Sequence, residues 1–75
     1  MCDTRDNLVA MLAEEYNEHR RVTGIVGGDK LLLEIFVSPV GSWTAMFTEP
    51  NGLSCLQAAG KNWDDNPLPE SEKPL

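Results

Sequence analysis

Apolar residues recur at three- and four-residue steps early in the chain and at every second position later. Leu8, Met11, Leu12 and Tyr16 form one stripe with Val9 at its margin, while Asp6, Asn7, Glu14, Asn17 and Glu18 fall mainly elsewhere. That spacing predicts an amphipathic helix over residues 3–19. Asp3 or Thr4 can accept from the first free N–H groups, and acids in the first turn suit the positive end of the helix dipole. Gly24 and the pair Gly27-Gly28 end the helical pattern, and β-branched residues between 22 and 26 suit a short strand.

Gly27-Gly28-Asp29-Lys30 reads as a tight turn. Beyond it, Pro39-Val40-Gly41 and Pro50-Asn51-Gly52 punctuate three alternating segments. Proline pre-sets the first turn position and glycine takes the left-handed one, which predicts two three-residue hairpin loops of one type. The expected strands are 21–27, 31–38, 42–49 and 53–59. With these loop lengths Val37 faces Trp43, Ile35 faces Ala45 and Leu33 faces Phe47, and then Phe47 faces Cys55, Ala45 faces Gln57 and Trp43 faces Ala59.

One sheet face therefore collects Leu31, Leu33, Ile35, Val37, Trp43, Ala45, Phe47, Cys55 and Ala59. It is the expected core, covered by the helix. The opposite face carries Ile25, Leu32, Glu34, Phe36, Thr44, Met46, Thr48, Ser54, Leu56 and Ala58. On it Leu32, Glu34, Phe36, Met46 and Leu56 are the expected interaction surface, for another protein or for a second copy in a homodimer. The expected fold class is α+β, one N-terminal helix on a four-stranded antiparallel meander. It forms a single domain over residues 1–63, with Trp63 folding back as a lid over one edge of the core. Residues 64–75 are acidic and proline-rich, and a disordered tail is expected there.

The two cysteines are Cys2 and Cys55. With Cys55 on the helix side and Cys2 just ahead of the helix, a disulfide between them is expected, against the alternative of two buried free thiols. Such a staple matters in a chain of 75 residues, where one core gives marginal stability.

A formal net charge of -6 disfavours nucleic acid and anionic membranes, which require a concentrated basic patch. No apolar run approaches the length of about 20 residues that spans a bilayer, so no membrane insertion is expected. His19 stands alone at the expected end of the helix without a second metal-ligand residue at a suitable spacing, and Asp64-Asp65 reads as solvated tail. No metal and no cofactor are expected. Nucleophilic catalysis lacks a base beside a serine or free thiol. Glu34, mid-strand on a half-apolar face, is the one residue on which an enzymatic reading would centre. Gly24-Ile25-Val26-Gly27-Gly28 lacks the Lys-Ser/Thr ending of a phosphate loop. Trp43 and Phe36 are read as packing residues rather than stacking platforms for a ligand.

The phrases Gly41-Ser42-Trp43-Thr44, Pro50-Asn51-Gly52, Ser54-Cys55 and Ala58-Ala59-Gly60-Lys61-Asn62-Trp63, with Cys2 and Leu33-Glu34-Ile35-Phe36, cover most of residues 2–63. In these the chain resembles a family of small, uncharacterised bacterial proteins, usually exported. The resemblance implies a periplasmic or secreted domain with one cysteine before the helix and another in the last strand, and no assigned activity. Met1 directly precedes Cys2 here, which keeps open a leaderless, phage-encoded relative that binds a host protein in the cytoplasm. The leading expectation is a non-enzymatic binding module, exported and disulfide-stapled. A small enzyme using Glu34 ranks third.

Overall fold

The structure, a computed structural model, describes residues 1–65. It is an α+β fold with one α-helix and a five-stranded antiparallel sheet: β1 (Cys2–Thr4), α1 (Arg5–Tyr16), β2 (His19–Val26), β3 (Leu31–Val37), β4 (Trp43–Thr48) and β5 (Leu53–Gly60). The expected count of four strands is corrected by β1, which sits beyond β5. The order is β1-β5-β4-β3-β2, so the sheet as a whole is not a meander. Residues 1–4 were open to misreading because a three-residue strand is too short to show alternation. Of the expected tail, residues 66–75 lie outside the described residues.

The helix starts as its sequence dictates. Thr4 is its N-cap, and its hydroxyl accepts from the Asn7 N–H at 3.3 Å. It stops three residues earlier than the pattern predicts. Asn17 adopts the left-handed conformation (φ 53°) and donates its N–H to the Ala13 carbonyl, and the Glu18 N–H bonds the Leu12 carbonyl. Asparagine tolerates this conformation better than most residues with a side chain. His19 consequently begins β2, where its Nε2 lies 3.2 Å from Asn17 Oδ1.

Both Pro-x-Gly loops have the same construction. Gly41 donates to the Ser38 carbonyl and Gly52 to the Glu49 carbonyl, Ser38 and Glu49 donate across to Ser42 and Leu53, and the two glycines have φ 93° and 91°. The β3–β4 register follows the parity expected: Val37 pairs with Trp43, Ile35 with Ala45 and Leu33 with Phe47. In β4–β5 it holds at Phe47 and Cys55 and then slips. A bulge at Gln57 pairs Ala45 with Ala58 and Trp43 with Gly60, not with Gln57 and Ala59. An extra residue reverses parity beyond it, so Ala59 shares the face of Thr44 and Gly60 comes under the Trp43 ring. A Cβ at Gly60 would stand 2.8 Å from that ring.

The helix covers the face opposite to the one expected. The buried core is Leu8, Leu12, Phe36 and Met46, flanked by Val9, Met11 and Leu56. The registers run β1 and β2 parallel to one another at opposite edges of the sheet, so β1–α1–β2 is a crossover of the βαβ kind. Such crossovers are right-handed in almost all proteins. Ser38 hydrogen-bonds toward β4, and for L-residues that bond direction means a right-handed crossover carries the helix over the Phe36 and Met46 side. A one-helix reading that lacks β1 has no crossover and no means of choosing the face.

Candidate functional site: an apolar sheet face

The face left open is the more apolar of the two. Val22 and Val26 from β2, Leu31, Leu33, Ile35 and Val37 from β3, Trp43, Ala45 and Phe47 from β4, and Leu53, Cys55 and Ala58 from β5 share it through their registers. Among the described residues, no Asp, Glu, Lys or Arg takes a paired position on this face. Its residues on β3 and β4 are half-buried. The covered face is mixed: Glu34, Ser38, Thr44, Thr48 and Ser54 are buried there beside Phe36 and Met46. Thr48 and Ser54 satisfy each other through a 2.5 Å hydroxyl contact.

At one end of the open face, Leu31, Phe47, Leu53 and Cys55 line a depression of about 250 Å³ rimmed by Glu49 and Gln57. At the other end Trp63 returns onto Trp43 with ring centroids 6.1 Å apart, so it folds back as expected but onto the open face, not over the core. The Trp63 N–H bonds the Gly41 carbonyl at 2.9 Å, and the indole Nε1 donates to Asp65 Oδ1 at 2.6 Å. Arg21 of β2 pairs with the other Asp65 oxygen. Asp65 is therefore held rather than loose, and the indole hydrogen bond, followed by the Arg21 guanidinium, lowers its pKa below the usual value.

The residues expected to form an interaction surface are the core. Phe36, Met46 and Glu34 are buried under α1, with Leu32 and Leu56 half-buried beside them, because the crossover lays the helix on that side. Glu34 is bonded by Arg5, the first helical residue, whose Nε and Nη2 donate to Oε1 and Oε2 at 2.8 and 2.7 Å. Arg20 adds a longer contact of 3.9 Å. This bidentate fork raises the Arg5 pKa above its usual value against the opposing effect of desolvation. Both Glu34 oxygens are engaged and the residue is fully inaccessible, a poor arrangement for acid–base chemistry on a bound substrate. Arg5 was not singled out from the sequence, since a pair 29 residues apart leaves no local pattern.

Cys2 and Cys55 are joined by a disulfide, reached by a different route from the one expected. The two residues are direct partners across β1 and β5, with Cα atoms 4.0 Å apart. Leu56 donates to the Met1 carbonyl, which makes Cys2/Cys55 a non-hydrogen-bonded pair, the position where antiparallel side chains approach most closely. Among the described residues no group of three or more His, Cys, Asp and Glu is arranged to hold a metal ion, and no helix is long and apolar enough to cross a membrane. Compared with known proteins, the chain matches no family model, no curated protein and no solved structure.

Proposed function

We propose that this protein is a non-enzymatic interaction module that works outside the cytoplasm as a homodimer, two copies stacking their open sheet faces. The observation that carries this reading is the distribution of polarity: the helix covers a face containing a charge and four hydroxyl residues, while the apolar face, with no charged residue at a paired position, stays open. Contiguous apolar patches of this kind mark contact sites. Four to five strands spaced about 4.8 Å apart and seven residues long give a flat footprint of about 450–550 Å² per copy. Side-chain relief adds to that, so a face-to-face pair reaches the lower end of the roughly 1,200–2,000 Å² buried in stable complexes. A second copy is the occupant that fits. Two twisted sheets pack face to face about 10 Å apart, and the charges near the face, Glu49 at one end and the Arg21–Asp65 pair at the other, sit at its rim rather than at its centre. The acidic helix residues Asp6, Glu14 and Glu15 would lie on the outer sides of the pair, far from one another. The disulfide supports an oxidising compartment.

Sedimentation equilibrium of the disulfide-bonded protein tests this. The wild type should be dimeric at micromolar concentration, and Ile35→Lys, at the centre of the open face, should be monomeric with an unchanged far-UV spectrum. Val40→Lys, in the first Pro-x-Gly loop and 91% exposed, should leave the dimer intact. A monomeric wild type would overturn the reading.

A further inference from the structure

On the covered side, a cleft of about 870 Å³ opens between the last turns of α1 and strands β4 and β5. That volume lies within the range of small-molecule sites. Met11, Leu12 and Leu56 give it apolar walls, and Tyr16 and Glu18 line it as well. The Asn17 reversal and the bond from the Glu18 N–H to the Leu12 carbonyl fold Glu18 beneath the final helical turn. There the side chain is 97% buried (3% exposed), and its Oε1 accepts no hydrogen bond from any described residue. Lys61 also lines the cleft without bonding that oxygen.

A buried carboxylate oxygen without a donor costs stability. The location compounds the cost, because a helix C-terminus carries negative partial charge that disfavours an anion and favours a cation. Glu15, also on the lining, adds to the same field. We infer that the cleft is a binding site for a small organic ammonium ion, a primary amine on an aryl or alkyl body. The ammonium donates to Glu18 Oε1, and the body packs against Met11, Leu12 and Leu56. The unmet acceptor supplies the charge-assisted bond, and the apolar walls select against a fully hydrated inorganic cation. An anionic ligand of the same shape would meet Glu18 and the helix end as like charges.

NMR titration of the disulfide-bonded protein near neutral pH tests the site with three probes of similar size: phenethylamine, neutral 2-phenylethanol and anionic 3-phenylpropanoate. Saturable binding of the amine is expected, with shifts centred on Met11, Glu18 and Leu56. The alcohol should bind about 10- to 100-fold more weakly, the span that hydrogen bonds to charged groups support, and the carboxylate not at all. Glu18→Gln should bring amine and alcohol to similar affinity. If the amine fails to saturate, or amine and alcohol bind the wild type alike, the site is not an ammonium site. The wild-type series decides this even should the variant fold poorly.

Discussion

Glu34 and Arg5 show how much a single buried charge depends on its partner. Glu34 is inaccessible, whereas the Arg5 side chain retains 35% exposure, so the two ends of the pair are unequal. Removing Arg5 takes both close hydrogen bonds from a buried carboxylate and leaves it only the 3.9 Å contact to Arg20, while removing the glutamate leaves a guanidinium that can still reach water. Arg5→Ala should therefore destabilise the protein by about 3–5 kcal/mol in urea unfolding. Adding Glu34→Leu to it should restore much of that loss. A second residue-scale expectation concerns Asp65. Its carboxyl titrates below the usual 3.8 because the Trp63 indole and then Arg21 favour the ionised form. A depressed carboxyl pKa contributes its stabilisation fully above the ordinary value and loses it as pH falls through the lower folded value. The Trp63 indole N–H resonance should accordingly shift with a midpoint below pH 3.8, and Asp65→Asn should flatten that titration. Alternation marks Glu34 as a strand residue on the Phe36 side, but the bond to a side chain 29 positions away exists only once the helix is docked.

Short-range rules wrote most of the elements. Proline and glycine at matched spacing produce two hairpin loops with the same hydrogen bonds and the same positive φ, and so the β3–β4 register. Three features escape such rules, one of them a bulge that leaves Arg21 of β2 unpaired. The bulge at Gln57 adds one unpaired residue to an otherwise regular alternation, which no turn signal announces. β1 has three residues, all exposed, and its pairing partner lies at the other end of the chain. The disulfide is what fastens it: the bridge spans 53 residues, and a closure of that length contributes about 4 kcal/mol in the chain-entropy view. Replacing both cysteines by serine should lower the melting temperature by about 20 °C for a domain of this size. It should also detach β1, seen as rapid hydrogen exchange at Leu56, whose N–H bonds the Met1 carbonyl.

At the scale of the whole molecule, one helix shelters only one side of five strands. Handedness selects the side. Right-handed passage from β1 to β2 commits the helix to the mixed face, where several of the buried polar groups find partners in the fold: Arg5 for Glu34, Ser54 for Thr48, Ser42 for Ser38. The apolar face is then left open among the described residues. The proposed dimer belongs to this scale, since no single residue of the face would imply it. The expected effect of Ile35→Lys follows from placing a charge where a second sheet would exclude water.

The sequence by itself determined the helix, its start near Asp3 or Thr4, four of the five strands, both Pro-x-Gly loops and the side chains of β3 and β4 that share a face, because each depends on neighbours a few residues apart and on the two-residue period of a strand. Only the tertiary structure decided which face is inside. That choice rests on a crossover between strands at opposite edges of the sheet, and chain chirality, not hydrophobicity, resolves it.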